Sequence, residues 1–272
     1  MKYLDNHDKY MSMALDLANK GKGLVAPNPL VGCVIVKNGR IIGEGYHKRF
    51  GEDHAEVMAL KNCSESPQGA SLYVNLEPCS IYGKTPPCTK SIIENSIMEV
   101  FVGIKDPNSK INGQGIKELK KAGVKVTTDI LSKKCYEINK PFFKWIETKI
   151  PYVIAKVAQT RDGYMGNDDK TSIWITGEKS KEHTHYLRSK VDAILIGRNT
   201  AQVDNPKLTV RKVLGHNPKR IILDTNRQLP LTLNIFSGNE SRTNFNRFDS
   251  MGSGKSTEQE DQWAFAWSIF FA

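Results

Sequence analysis

The chain of 272 residues contains no apolar run near the roughly eighteen residues needed to cross a bilayer, so no membrane partner is expected. Its opening, Met1-Lys2-Tyr3-Leu4-Asp5-Asn6-His7-Asp8, lacks the apolar segment of a secretory signal, and none is expected. Cysteine is sparse: five residues, an odd number, do not make a paired disulfide framework. Cys33, Cys63 and Cys135 fall within apolar or helical patterns and are expected to be buried free thiols, which suits a reducing cytoplasmic location. Although the formal charge is +10, no Lys/Arg-rich run or basic patch interleaved with aromatics stands out. The positive charge is dispersed, as on a solvated surface. Such a charge admits nucleic acid or small anionic substrates such as sugar phosphates and NADPH, and no nucleic-acid partner is expected. What remains is an ordinary globular composition, 39% hydrophobic and 25% charged, long enough for two domains with separate cores.

The densest chemistry lies between Gly51 and Lys90. His54, Cys79 and Cys88 offer one imidazole nitrogen and two thiolates. That soft three-ligand set suits Zn²⁺ and leaves a fourth tetrahedral position for water. Glu56 follows the histidine by two residues, near enough to move the protons of such a water without ligating the metal. The same residue types also occur as structural zinc ligands or as plain core residues. Glu56 and Pro78 favour the catalytic set, because His-x-Glu followed by Pro-Cys resembles the signature of zinc-dependent nucleobase deaminases. One departure is plain: eight residues, not two, separate Cys79 from Cys88. Zinc needs only that both sulfurs return to one point, and Pro86-Pro87 would stiffen that return and could start a helix.

Tyr10, Met13, Ala14, Leu17 and Ala18 recur at helical spacing up to Gly21, predicting an amphipathic first helix. Residues 31–37 and 40–46 flank Asn38-Gly39, the strongest short hairpin signal. A helical pattern over 54–60 puts His54 and Glu56 at a helix start, where unpaired N–H groups and the dipole favour negative charge. Strands are predicted over 71–76, 98–104 and 124–128, with helices over 86–96, 115–122 and 132–147. A second α/β pattern begins at Pro151, with strands over 152–158, 172–176, 193–197 and 220–223 and a helix ending near Lys190.

The strings Leu76-Glu77-Pro78-Cys79 and Tyr82-Gly83-Lys84-Thr85-Pro86-Pro87-Cys88 resemble the bifunctional deaminase–reductase of riboflavin biosynthesis. So do Pro27-Asn28-Pro29-Leu30-Val31-Gly32 and Gly43-Glu44-Gly45-Tyr46-His47. The resemblance covers about residues 8 to 230 and implies an α/β fold in two parts. These are a cytidine-deaminase-like zinc domain over 1–148 and a partial dihydrofolate-reductase-like domain over 149–237. The implied reaction of the first is hydrolytic deamination of 2,5-diamino-6-(5-phosphoribosylamino)pyrimidin-4-one, with Zn²⁺ on His54, Cys79 and Cys88 and Glu56 as proton carrier. By the same resemblance Asn28, His47 and Lys84 contact that substrate. The second domain would reduce the ribosyl group with NADPH. Ala158, Trp174, Thr200 and Asp204 would line the cofactor site, and Lys156, Ser172, Arg188, Leu208 and Arg211 would hold the ribosyl phosphate. Without the resemblance, each of the charged residues among them would read as an ordinary surface charge.

Residues 238–272 leave the family pattern. Rich in Ser, Asn, Gly, Glu and Arg as far as Asp261, they are expected to be disordered, ending in an aromatic stretch over 263–272. Gly252-Ser253-Gly254-Lys255-Ser256 is not a phosphate loop, since Asp249 stands where its first glycine belongs. The family's later substrate-binding glutamate and glycine-rich NADPH segment are not found. A disrupted second domain with an unpaired sheet edge and impaired reduction is therefore expected. Homo-oligomerisation stays open. Two other readings compete: a deaminase of tRNA or free cytidine, and a non-enzymatic, zinc-stabilised interaction protein.

Overall fold

The computed structural model describes residues 2–83, 85–167, 171–237, 243–246 and 268–271. The chain divides into two compact units, Met1–Ile150 and Pro151–Ala272, two residues beyond the boundary expected from the sequence.

The first unit is built on a five-stranded sheet. Its strands are β1 (Gly32–Lys37), β2 (Arg40–Tyr46), β3 (Ser71–Val74), β4 (Glu99–Val102) and β5 (Lys125–Thr127). They lie in the order β2-β1-β3-β4-β5, with β1 antiparallel to both neighbours and β3, β4 and β5 parallel. The hairpin turns at Asn38 and Gly39, both at positive φ (50° and 74°), as a tight two-residue turn requires. Side-chain alternation then assigns the two faces. Cys33, Ile35, Leu72, Val74, Val100 and Val102 enter one core, with Ala55, Ala59, Ile92 and Leu119 packed over them. Val34, Val36, Tyr73 and Phe101 enter the other, under Tyr10, Met11, Ala14 and Leu15. Helix α1 (Lys2–Asn19) thus covers one face, and α2 (Ala55–Lys61), α3 (Cys88–Glu94) and α4 (Gln114–Lys121) cover the other.

The helix predicted over 132–147 is two helices, α5 (Ser132–Ile138) and α6 (Lys140–Thr148). Pro141, in the first turn of α6, has no N–H to give to a continuous helix, so the break falls at Asn139. The freed asparagine is buried and closes a loop far away in sequence. Its Oδ1 accepts the Leu30 N–H at 2.8 Å and its Nδ2 donates to the Leu30 carbonyl at 2.9 Å. Buried Asn75 donates to the same carbonyl at 2.9 Å and accepts the Gly32 N–H at 2.8 Å. The two asparagines thereby hold the segment between Asn28 and β1. Asn139→Ala leaves the buried Leu30 N–H without a partner, which should cost about 1–3 kcal/mol. Urea or thermal unfolding should show the loss as a lower midpoint; an unmoved midpoint would contradict the role.

In the second unit the strands are β6 (Tyr152–Ala155), β7 (Ala193–Gly197), β8 (Lys219–Leu223), β9 (Thr243–Asn246) and β10 (Ser268–Phe271). They form a parallel sheet in the order β6-β10-β7-β8-β9. Helices α7 (Glu178–Arg188) and α8 (Arg198–Asp204) complete the described framework, and Val191, Ile194, Ile196, Ala201, Leu208 and Ile222 share its main core.

Two expectations are corrected here. Residues 172–176 have strand composition but form no strand among the described residues; Ser172 and Trp174 are exposed. More importantly, 243–246 and 268–271, placed in a disordered tail, are strands. β10 fills the sheet between β6 and β7, so the stretch read as a tail supplies a strand to the second unit. A short apolar run such as Ser268-Ile269-Phe270-Phe271 suits an interior parallel strand, whose ladder is made on both sides. The rest of 238–272, including the rejected phosphate-loop string, lies outside the described residues. Among the described residues, no helix is long and apolar enough to cross a membrane.

Candidate metal and deamination site

Three chain segments meet at the site. His54 is the N-cap of α2, with extended backbone (φ −72°, ψ 163°), and its carbonyl accepts the first helical bond from Met58 N–H at 3.0 Å. Glu56 lies in the first turn of that helix and is buried. Helix α2 can sit this low on the sheet because Gly45 on β2 has no side chain; a Cβ there would lie 2.3 Å from the Ala59 nitrogen. Cys79 follows β3 across Leu76-Glu77-Pro78, and Cys88 opens α3 directly after its N-cap Pro87. The eight-residue excursion between the cysteines returns as Pro86-Pro87 suggested, with the Cys88 N–H donating to the Cys79 sulfur at 3.4 Å. Thr89 N–H reaches the Cys79 carbonyl at 3.2 Å.

His54 Nδ1 lies 3.3 Å from Cys88 Sγ and 3.5 Å from Cys79 Sγ, and the three ligand atoms fall within 4.8 Å of one another. Tetrahedral Zn–N and Zn–S bonds would set N and S about 3.6 Å apart, so the donor set fits zinc in type and in spacing. The three groups also lie within hydrogen-bonding reach of one another. The bond from Cys88, with another from His54, draws the Cys79 thiol down to about 4. His54, bonded to that sulfur, rises to about 9, while the Cys88 thiol is pushed well above its usual value. Burial, reinforced by the charge on Cys79, raises the Glu56 carboxyl above the ordinary range. A carboxyl made more basic in this way is better placed to carry protons near neutrality.

Asn28 and His47 come to the same place. Asn28 Nδ2 lies 2.9 Å from His47 Nε2, and His47 Nδ1 lies 3.0 Å from the Asp53 carbonyl, next to His54. Burial lowers the His47 pKa, so the ring is neutral: Nδ1–H donates to Asp53 and Nε2 accepts from Asn28. Its ring meets His54 edge-on at 5.5 Å. Lys84 lies outside the described residues. Sequence reasoning gave no role to Asp106, buried near Cys79 and Glu77, whose carboxyl burial pushes up to about 6. Only its position 27 residues beyond Cys79 was visible, and that carries no signal.

A model of the cytidine and deoxycytidylate deaminase zinc-binding region matches residues 4–104, and a model of the RibD C-terminal domain matches 151–260. The second match runs past residue 238, where the family pattern was expected to end. The riboflavin biosynthesis protein RibD of Aquifex aeolicus is 44% identical over 235 residues, covering 86% of this chain and 66% of its own length. That of Escherichia coli is 39% identical over 231 residues, covering 85% and 63%. The crystal structure of a diaminohydroxyphosphoribosylaminopyrimidine deaminase/5-amino-6-(5-phosphoribosylamino)uracil reductase from Thermotoga maritima is 34% identical. It superposes with a TM-score of 0.89 over 99% of this chain and 81% of that one. The chain belongs to the RibD family. It spans less than two thirds of the length of the curated RibD relatives it matches, 66% and 63% of the two just named.

The RibD-type second unit gathers cations. Lys156, at the end of β6, and Arg188, at the end of α7, feel each other's charge, and Arg188 feels Arg211. Burial lowers Lys156 and takes Arg188 down to about 10. Both arginines reach Thr209, Arg188 at its carbonyl (3.5 Å) and Arg211 at its hydroxyl (2.8 Å). His185, buried beneath them, accepts the Arg211 N–H at Nδ1 (3.0 Å); burial and the surrounding cations lower it to about 4. Leu208 is core rather than surface, at a left-handed φ of 56°. Trp174 is 78% exposed beneath Lys181 Nζ, 4.1 Å from its ring centroid. Ala158, Ser172, Thr200 and Asp204 are joined to the cationic group by no hydrogen bond or ion pair among the described residues.

Proposed function

We propose that the first unit deaminates 2,5-diamino-6-(5-phosphoribosylamino)pyrimidin-4-one, with His54, Cys79 and Cys88 holding Zn²⁺. The carrying observation is that Glu56 lies buried beside a cluster of three protein ligands, without belonging to it. A structural zinc site closes with four protein ligands, whereas a catalytic one keeps a position for water. Zinc so held supplies Lewis acidity that makes water nucleophilic near neutral pH. Glu56 takes a proton from the attacking water and gives it to the ring nitrogen beside the reacting carbon. It then takes the proton of the hydroxyl now on that carbon and passes it to the amine, which leaves as ammonia while the carbonyl forms. Neutral His47 and the Asn28 amide bonded to it are the proposed pyrimidine contacts, with Lys84 beside them. The three-ligand set and its carboxylate weigh against the zinc-stabilised interaction protein, and the second unit weighs against a tRNA or cytidine deaminase.

For the second unit we propose the NADPH-dependent reduction of the ribosyl group. Lys156, Arg188 and Arg211, with Ser172 and Leu208, hold the phosphate. Ala158, Trp174, Thr200 and Asp204 face the cofactor. Two arginines converging on one threonine, with Lys156 close enough to feel the charge of Arg188, form a ready anion site. The test is direct: incubate the purified chain with zinc and the diaminopyrimidine ribosyl phosphate, with and without NADPH, and read products by mass spectrometry. The deaminated pyrimidine supports the first assignment, and its reduced form, only with NADPH, supports the second. Deaminated product alone would return the second unit to the impaired state expected from the sequence, and unchanged substrate would overturn both assignments.

A further inference from the structure

Glu77 is buried (4% exposed), and its carboxylate accepts three backbone N–H groups, two from the segment leading into α4 and one from the first turn of α4 itself. Oε2 takes those of Asp106 at 3.2 Å and Gly113 at 2.9 Å, and Oε1 takes that of Ile116 at 3.2 Å. Gly113 is the left-handed N-cap of α4 and brings no side chain, and α4 has no acidic residue in its own first turn. Glu77 therefore supplies, from 36 residues away, the anion that this helix start lacks. The join is tight on its second side as well, since a Cβ at Gly115 would lie 2.0 Å from the Pro78 carbonyl oxygen. Pro78, between Glu77 and Cys79, has no N–H with which to fix itself. Its neighbours are fixed instead: Glu77 N–H on the Ile104 carbonyl at 2.9 Å, and Cys79 on the start of α3.

We infer that Glu77 is a positioning residue for the metal site: by clamping the start of α4 it sets where Cys79 presents its sulfur to His54 and Cys88. The inference rests on the metal reading above. Groups that orient metal ligands from behind change affinity by about 10- to 100-fold when removed. Glu77→Gln turns one carboxylate oxygen into an NH₂ that must face an N–H donor, so the clamp opens while the side-chain volume stays.

The probe is Co²⁺ added to the metal-free full chain, read by its thiolate charge-transfer and d–d bands. Glu77→Gln should bind Co²⁺ about 10- to 100-fold more weakly than wild type, with altered d–d bands. Leu119→Ala, in the buried face of the same helix, should lower thermal stability yet keep wild-type affinity and bands. Equal changes in both variants, or wild-type cobalt binding in Glu77→Gln, would reduce Glu77 to a helix cap and overturn the inference. Should Glu77→Gln not fold, wild-type hydrogen exchange decides, because coupling between two sites is reciprocal. Zinc should slow exchange of the Gly113 and Ile116 amides but not those of β5. Unchanged exchange at Gly113 and Ile116 overturns the inference alone, and a wild-type chain that binds no cobalt overturns the metal reading with it.

Discussion

Glu56→Gln should lower deamination by roughly 10²- to 10⁴-fold while the protein keeps its zinc. The substitution preserves shape in a buried position, and Glu56 is outside the ligand cluster, so neither packing nor metal content has reason to change. What disappears is the basic oxygen. A carboxamide cannot take a proton from water, nor give one to the ring nitrogen and the departing amine. Turnover should be measured alongside metal content by a colorimetric chelator assay. A variant that turns over like wild type would remove Glu56 from its role. One that loses its zinc would place Glu56 among the residues holding the site.

Chelation should also abolish deamination, but without unfolding the first unit. Its two cores close on opposite faces of the sheet through residues such as Ile35, Leu72 and Val100 on one side and Met11, Val34 and Phe101 on the other. Neither needs a metal to be complete. With the ion gone, thiolate Cys79 and protonated His54 hold each other across 3.5 Å, so no ligand is left as an isolated buried charge. Activity should therefore fall to background and return on adding Zn²⁺, while the far-ultraviolet circular dichroism at 25 °C stays as it was. Loss of that signal on chelation would point to a zinc-stabilised fold of the interaction-protein kind. Acid should favour loss of the metal, because Cys88, whose thiol pKa is pushed up, takes a proton whenever the ion leaves.

Much of the first unit was legible from sequence because its signals are local. The alternation of Cys33 to Val36, the Asn38-Gly39 turn and the His-x-Glu pair each report on neighbours within a few residues. The His54, Cys79 and Cys88 cluster could be picked out as a candidate because its residue types are rare and its chemistry narrow. What escaped depends on distant partners. Asn139 reaches Leu30 across 109 residues, and nothing at Asn139 announces that bond. Glu77 stood inside a recognised string, yet its three N–H partners lie 29 to 39 residues on, in a loop of no distinctive composition and the first turn of α4. Residues 172–176 had the right composition for a strand, but composition does not supply a neighbouring strand to pair with. The reverse error occurred at 268–271, where an aromatic run read in isolation concealed a slot between two strands made much earlier.

That slot has a consequence for how the molecule is made. The first unit is complete in the chain before Pro151, and each of its strands can find a partner soon after synthesis. In the second unit, β6 and β7 are joined among the described strands through β10, which follows β6, β7, β8 and β9 in the chain. Until β10 is made both present open ladders, and the growing polypeptide carries a finished module joined to a sheet still in two pieces. Assembly is thus staggered in time: a zinc-binding half that can mature early in translation, and a cationic half whose closure waits for β10.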